Sequence, residues 1–306
     1  MQLKASDLFA GLGGSSTGAE MAGVEVVWAG NHWPAAVDAH EKNHPGAIHV
    51  CQDLHQADWS RVPRHDLMMA SPCCQGHSKA RGKKAGNPQH DASRSTAWAV
   101  ISAAEYHRMP NIIVENVVEF LKWTLYPAWE GAMQALGYSL APHIVDCADL
   151  GVPQNRKRLF IICTRSKKPL HLTLPKMPHV SAETFIDFSA GNWQPVEKPG
   201  RANSTLDRVK NGRAQFGERF LFSYYGNTKT GRSLARPIGT ITTRDRWAVV
   251  DGARMRILTK EENMLAMSFP ADYIKPPSHK LTVHMAGNAV PPKAMCEIIT
   301  ALAAQA

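Results

Sequence analysis

The sequence predicts an α/β fold: a doubly wound parallel sheet with helices on both faces, accompanied by a second, smaller domain. Three observations predict it. Short apolar runs alternate with helical stretches through the first half of the chain, the pattern of strands joined by crossover helices. The residues with chemistry fall where those runs end, at Gly11, Asn31, Asp53, Cys74 and Glu115. In such sheets ligands sit at the carboxyl ends of the strands. After about residue 166 the texture changes, and residues 166–210 carry many Pro, Lys and polar side chains with little periodicity, which marks a separate small domain or an irregular insertion.

The elements follow in order. Residues 3–9 read as a strand that ends in a glycine turn, Gly11 to Gly14. Residues 15–22 read as a helix, 24–29 as a second strand and 34–43 as a second helix. Residues 66–70 form an apolar strand running into Ser71-Pro72. Residues 96–106 have helical spacing, and 111–114 form a strand ending at Glu115-Asn116. Residues 158–163 are a strand rich in Leu, Ile and Phe. Residues 257–269 return to a helical pattern, and 291–304 make a closing helix. No internal repeat is present.

The chain has 306 residues, 44% of them hydrophobic, enough to bury one large domain or one and a half. The net charge is +9, which favours a polyanionic partner through phosphate contacts. The six cysteines (51, 73, 74, 147, 163 and 296) show no disulfide-framework spacing and fit a reducing cytoplasm. The first residues lack the apolar core of a signal peptide, and no apolar run reaches membrane-spanning length. The expectation is a soluble cytoplasmic protein.

Four segments carry chemistry. Asp7-Leu-Phe-Ala-Gly-Leu-Gly-Gly14 lets backbone approach a ligand at a helix N-terminus. Its glycine spacing departs from the G-x-G-x-x-G of nicotinamide enzymes. Ser71-Pro72-Cys73-Cys74-Gln75-Gly76-His77-Ser78 puts thiols at a strand end. A nucleophile, a buried small residue, half of a zinc site and a hydrolase cysteine all remain open on these residues alone, although the second ligand pair of a zinc site is missing. Val114-Glu115-Asn116-Val117 sets a carboxylate after a buried strand. In Gln154-Asn155-Arg156-Lys157-Arg158, positions 154, 156 and 158 share a face if extended, and two arginines there suit recognition of a base edge or phosphate.

Together these segments resemble the DNA (cytosine-5)-methyltransferase family, bacterial or phage type, over nearly the full length. The likeness rests on DLFAGLGG, the Cys74-Gln75-x-x-Ser78 block, ENV at 115–117, QNRKR at 154–158, RPIGTITTRDR at 236–246 and GNAVPP at 287–292, in the family's order. The resemblance implies a class I S-adenosylmethionine-dependent methyltransferase fold, a Rossmann-like doubly wound sheet. Residues 1–166 with 281–306 would form the catalytic, cofactor-binding domain, and 167–280 a small target-recognition domain.

By the same resemblance, Phe9, Ala10, Gly11, Leu12 and Gly13 line the cofactor pocket. Asp53 meets the adenine amino group and Leu54 packs on the ring. Asn31 stands where the family has a ribose-binding Glu, with His32 beside it at the stacking position. Asn288 and Val290 return to the pocket. Gln75 and Ser78 fix the nucleophile at Cys74, so Cys73 occupies the family's proline position. Glu115, Arg156 and Arg158 complete the catalytic set. Gln75, Ser78, Lys79, Arg81, Arg94 and Arg244 are expected to contact DNA.

The implied reaction moves a methyl group from S-adenosyl-L-methionine, leaving S-adenosyl-L-homocysteine, to carbon 5 of a flipped-out cytosine through a covalent Cys74 adduct. No metal is implied. The expected partner is double-stranded DNA, the protein a monomer acting at the nucleoid, with a companion restriction endonuclease possible. Two alternatives stand beside this: a transfer RNA cytosine-5 methyltransferase, and a non-catalytic DNA-binding homologue. The segment after ENV, Val118-Glu119-Phe120, lacks the Cys-Phe-Thr of the RNA branch and favours DNA.

Overall fold

The computed structural model describes residues 2–73, 96–225 and 228–305. The chain folds as two compact units. The first comprises Met1–Asp146, Lys157–Pro175 and Val290–Ala306; the second comprises Cys147–Arg156 and Lys176–Ala289.

The first unit is built on a seven-stranded sheet of β1 (Lys4–Leu8), β2 (Glu25–Asn31), β3 (Ile48–Cys51), β4 (Leu67–Ala70), β5 (Asn111–Asn116), β6 (Ser139–Asp146) and β7 (Lys157–Thr164). Its order is β3-β2-β1-β4-β5-β7-β6. The order reverses between β1 and β4, so the carboxyl ends of these two strands open a crevice on one edge of the sheet. The strands β1 to β5 are mutually parallel, and β7 runs antiparallel to both β5 and β6. All four residues of β4 are buried, as expected of a central strand covered on both faces.

Among the described residues, helices α1 (Gly14–Met21), α2 (Pro34–Asn43), α3 (Ala97–His107) and α4 (Tyr126–Ala135) connect this sheet. The main core joins Trp28, Trp59, Val100, Ile112, Phe120 and Trp129. Each such side chain contributes roughly 1.5–3 kcal/mol by burial. Trp129 keeps its one polar atom satisfied by donating from Nε1 to Ala97 O at 3.0 Å, which ties α4 to the start of α3.

The second unit holds a small antiparallel sheet of β8 (Gln194–Pro195), β9 (Arg219–Ser223), β10 (Trp247–Asp251) and β11 (Arg254–Ile257), in the order β8-β11-β10-β9. One face packs Phe220, Phe222, Ala248, Val250 and Met255 against Val209 of α5 (Asn203–Phe216). Helices α6 (Lys260–Ala266) and α7 (His279–Asn288) follow. Thr259 caps α6 with a full capping box, its hydroxyl accepting from Glu262 N, a sequence signature of a helix start. The closing helix α8 (Pro292–Gln305) belongs to the first unit and packs along α1. No described helix is long and apolar enough to cross a membrane.

The α/β class and the doubly wound order agree with the sequence. The purely parallel sheet does not. Strand β7 is antiparallel because residues 147–156 return the chain from β6 with only a short 3-10 turn, Cys147–Leu150, and no crossover helix, and parallel neighbours require a crossover. Strand β6 escapes a periodicity reading because it contains Pro142. It lies at the sheet edge, where a missing N–H is tolerated. The helical pattern over 257–269 shrinks to α6, because Arg254–Ile257 are taken up by β11.

Candidate active site

The glycine turn continues β1 with an unusual backbone. Phe9 has φ 63°, Gly11 φ 57° and Gly13 φ 91°. A left-handed phenylalanine is rare and costs of order 1 kcal/mol or more, so its surroundings impose it. Ala10 N donates to Gly30 O at 3.2 Å and Gly13 N to Ala10 O at 2.9 Å, which folds the turn back on the end of β2. Leu12 is buried and anchors it. Gly13 is the N-cap of α1 and supplies no side-chain cap. In the first turn Ser16 N is hydrogen-bonded to the buried Asp7 carboxylate, so the glycine turn itself is what the start of α1 presents to a ligand.

Asn31 ends β2 and is buried. Its Oδ1 accepts from Trp33 N at 2.9 Å, so the carbonyl is committed to starting α2. Asn31 can offer a ligand its amide donor and the carbonyl's second lone pair. His32 beside it is exposed. Asp53 follows β3 and is exposed, with Oδ1 accepting from His55 N at 3.0 Å. That bond starts the short turn Leu54–Gln56 and turns Leu54 inward. Residues 9–13, 31–32 and 53–54 thus gather at the carboxyl ends of β1, β2 and β3.

The end of β4 is tied to both neighbours. Ser71 N donates to Leu8 O at 3.1 Å. The buried Asn116 amide donates from Nδ2 to Pro72 O at 3.1 Å, while its Oδ1 accepts from Val117 N. Cys73 N donates to Thr96 Oγ1 at 3.0 Å. Cys74, Gln75, Ser78, Lys79, Arg81 and Arg94 lie outside the described residues. Their chain leaves at Cys73 and returns at Thr96, and that hydrogen bond joins the two points. One residue before Asn116, the Glu115 carboxylate faces Arg158, Oε1 to Nε at 3.1 Å, with side chains 9% and 14% exposed. Arg158 Nη1 also donates to Lys157 O at 2.8 Å.

In the second unit, Arg156 is 1% exposed. Its Nη1 donates to Ile241 O at 2.9 Å, and Nη2 to Gly287 O at 2.9 Å and Ala289 O at 3.1 Å. Gln154 is equally buried, donating to Ala266 O and accepting from Ile241 N at 2.8 Å. These two side chains of the QNRKR run hold the RPIGTI segment to the end of α7, whereas Arg158 sits in the first unit with Glu115. Asn288 is exposed at the end of α7, and Val290 is buried in the first unit. Arg244 is exposed. Gly287 is held to hydrogen by its surroundings: an added Cβ would lie 2.3 Å from Thr242 C.

Residues 3–304 match C-5 cytosine-specific DNA methylase. The chain belongs to the C-5 cytosine-specific DNA methylase family. Among characterised relatives, it is 28% identical over 293 residues to Type II methyltransferase M.HgiDI of Herpetosiphon aurantiacus, covering 94% of this chain and 90% of that one. It is 28% identical over 310 residues to M.HhaI of Haemophilus parahaemolyticus, covering 94% and 90%. A solved structure of a Spodoptera frugiperda DNMT2 variant shares the fold, with TM-score 0.70, 17% identity and coverage of 98% and 99%. A protein encoded within an E. coli prophage does so with TM-score 0.73, 18% identity and coverage of 99% of each chain.

As a C-5 cytosine-specific DNA methylase, the chain is a methyl-transferring enzyme, and the position of Asn116 gains meaning. The sequence singles out Glu115 and leaves Asn116 without a role. Asn116 is the side chain that ties the cysteine segment to the strand bearing the carboxylate. Its sequence signals are its place in the ENV block and a polar residue ending a buried strand, and neither names its partner. Gln154 is likewise legible as the first residue of the QNRKR block, without its buried role.

Proposed function

We propose that this chain transfers a methyl group from S-adenosylmethionine to carbon 5 of cytosine in duplex DNA, with Cys74 as nucleophile. The observation that carries this is the Asn116–Pro72 hydrogen bond, which fixes the residue two before Cys74 beside Glu115. The donor set suits the cofactor. The glycine turn at the start of α1 meets a carboxylate, Asp53 accepts from an amine, Leu54 supports a ring, and the Asn31 amide donates to a ribose oxygen. When bound, S-adenosylmethionine supplies an electrophilic methyl on a sulfonium.

The chain's own residues do the rest. The Cys74 thiolate adds to carbon 6 of cytosine, which breaks the ring's conjugation and makes carbon 5 nucleophilic. Glu115 holds the ring at N3 and its amino group and supplies a proton as negative charge develops. Arg158 orients Glu115 and meets the ring's O2, a preorganised charge in a largely dry site. After methyl transfer, loss of the carbon 5 proton expels the thiolate. Arg156, assigned to the same catalytic set, also holds the backbone around 287–289.

Residues 167–280 are assigned to target recognition and 1–166 with 281–306 to catalysis. Gln75, Ser78, Lys79, Arg81, Arg94 and Arg244 are assigned to DNA. The protein acts as a monomer in the cytoplasm, and a companion endonuclease fits the Type II names of its relatives. The test is trapping on duplex DNA containing 5-fluorocytosine with labelled cofactor. Wild type and Cys73→Ser form a covalent adduct, and Cys74→Ser forms none. An adduct that survives Cys74→Ser overturns the nucleophile. Label that enters transfer RNA and not duplex DNA overturns the substrate.

A further inference from the structure

Beneath the glycine turn lies a row of titratable groups that the methyl-transfer chemistry does not use. Asp7 of β1 is fully buried. Ser16 Oγ, in the first turn of α1, is 2.8 Å from Asp7 Oδ2. His40 Nε2, on α2, is 2.9 Å from the same Ser16 oxygen. His40 Nδ1 is 2.8 Å from His49 Nε2, on β3. Asp7, Ser16 and His40 are buried, and His49 is only half-buried. The row therefore runs without a gap from a partly solvated imidazole to a carboxyl two residues before Phe9.

We propose that Asp7, Ser16, His40 and His49 form a proton wire, which carries a proton from His49 to Asp7 beneath the glycine turn and reverses every hydrogen bond on the way. Each bridging group can both give and take a proton. With His49 protonated on both nitrogens, its Nε2–H donates to His40 Nδ1. His40 Nε2–H donates to Ser16 Oγ, and the Ser16 hydroxyl donates to the Asp7 carboxylate. Three proton shifts then occur. The His49 Nε2 proton moves to His40 Nδ1, the His40 Nε2 proton to Ser16, and the Ser16 proton to Asp7 Oδ2. His49 is left neutral with its Nδ1 proton, His40 is neutral in its other tautomer, and Asp7 is an uncharged carboxyl. No proton is gained or lost, and a cation and an anion are neutralised together.

The surroundings favour this end state. Among the described residues Asp7 Oδ1 has no hydrogen-bond partner, a heavy cost for a carboxylate oxygen and a smaller one for a neutral carbonyl. Burial pushes the Asp7 carboxyl up to about 7, so it titrates near neutrality. Burial, with His44 and His49 nearby, holds His40 well below the usual imidazole range, so His40 relays protons and stays neutral itself. Other charged groups sit around the row without joining it. His44, just after α2, lies between Glu20 Oε1 of α1 at 2.8 Å and Thr17 Oγ1 at 3.3 Å. Burial holds His49 below the usual imidazole range, with Glu41 and the Ala47 backbone opposing it, so its proton is readily given up to the row. On β2 and β4, the neighbours of Asp7 are Ala29 and Met69. Helix α8 meets α1 at Gly18 through Pro292, Met295 and Cys296, and its Lys293 and Glu297 pair with each other. The ring nitrogens point at one another and at hydroxyls, and among the described residues no group of three or more His, Cys, Asp or Glu is arranged to hold a metal. Because Ser16 lies in the first turn of α1, the state of a surface histidine reaches the turn that precedes that helix.

The test is nitrogen-15 NMR of the histidine rings in the full chain, with carbon-13 carboxyl shifts for Asp7. At alkaline pH the His40 proton is expected on Nε2. As the pH falls through about 7 and Asp7 takes its proton, the His40 proton moves to Nδ1 without an imidazolium appearing. Ser16→Ala cuts the wire and leaves both ends able to titrate. In that variant Asp7 still titrates and the tautomer switch is lost. A single His40 tautomer throughout, an imidazolium at His40, or a switch that persists in Ser16→Ala overturns the proposal.

Discussion

Glu115 and Arg158 meet at 3.1 Å, Oε1 to Nε, across the pairing of β5 with β7. The contact exists because β7 is antiparallel. Glu115 stands at the carboxyl end of β5, and Arg158 at the start of β7 lies against that end. A parallel β7 would carry Arg158 to the opposite edge of the sheet.

The pair is largely desolvated, so breaking it from one side strands a charge. Arg158→Met is expected to destabilise the protein by about 3–5 kcal/mol. The double variant Glu115→Gln/Arg158→Met should recover part of that loss. Denaturant unfolding of the four proteins measures the coupling, and strictly additive effects would remove the pair's structural role. Glu115→Gln alone should lower kcat by about 10²–10⁴-fold, the usual weight of a positioned proton donor.

Arg156 donates to three backbone carbonyls from one planar group. A lysine ammonium cannot span them. Arg156→Lys should therefore leave buried carbonyls unpaired and cost about 3 kcal/mol. The urea midpoint is the measurement, and an unchanged midpoint would show that the carbonyls find other donors.

Gly287 has Thr242 C within 2.3 Å of the position a Cβ would take, whereas Gly46 has nothing within 4 Å. Gly287→Ala should destabilise by about 1–3 kcal/mol through overpacking, and Gly46→Ala should not. Thermal unfolding of both variants decides this. Equal melting temperatures would mean that residues 242–243 yield to the added methyl.

His107 is held down to about 4 by burial and by His65 beside it. The unfolded chain binds this proton at the ordinary value of 6.5. Between those values the unfolded state binds more protons, so stability rises with pH there. The contribution is complete above 6.5 and is lost as the pH falls toward 4. Urea midpoints near either end of that window should separate wild type from His107→Phe, with the smaller fall in the variant. Parallel curves for the two proteins would assign the acid sensitivity elsewhere.

The sequence by itself determined the α/β class, the turn after β1 and the identity of Glu115 and Arg158 as a chemical set. These are written locally, in alternating apolar runs, glycines and short blocks, because strands and turns answer to neighbouring residues. It also carried the six ordered blocks that identify the family. Only the tertiary structure decided which partner each polar side chain takes. Positions 154, 156 and 158 read as one basic face, yet Gln154 and Arg156 are spent on backbone in the second unit and Arg158 turns to Glu115. Asn31 reads as a ligand-binding amide, and only the fold shows that its carbonyl also accepts from Trp33 N. Asp7, Ser16, His40 and His49 carry no shared motif, and they meet because α1 packs on β1 and α2 on β3. Hydrogen bonds between residues far apart in the chain depend on strand direction and helix packing, neither of which a local pattern encodes.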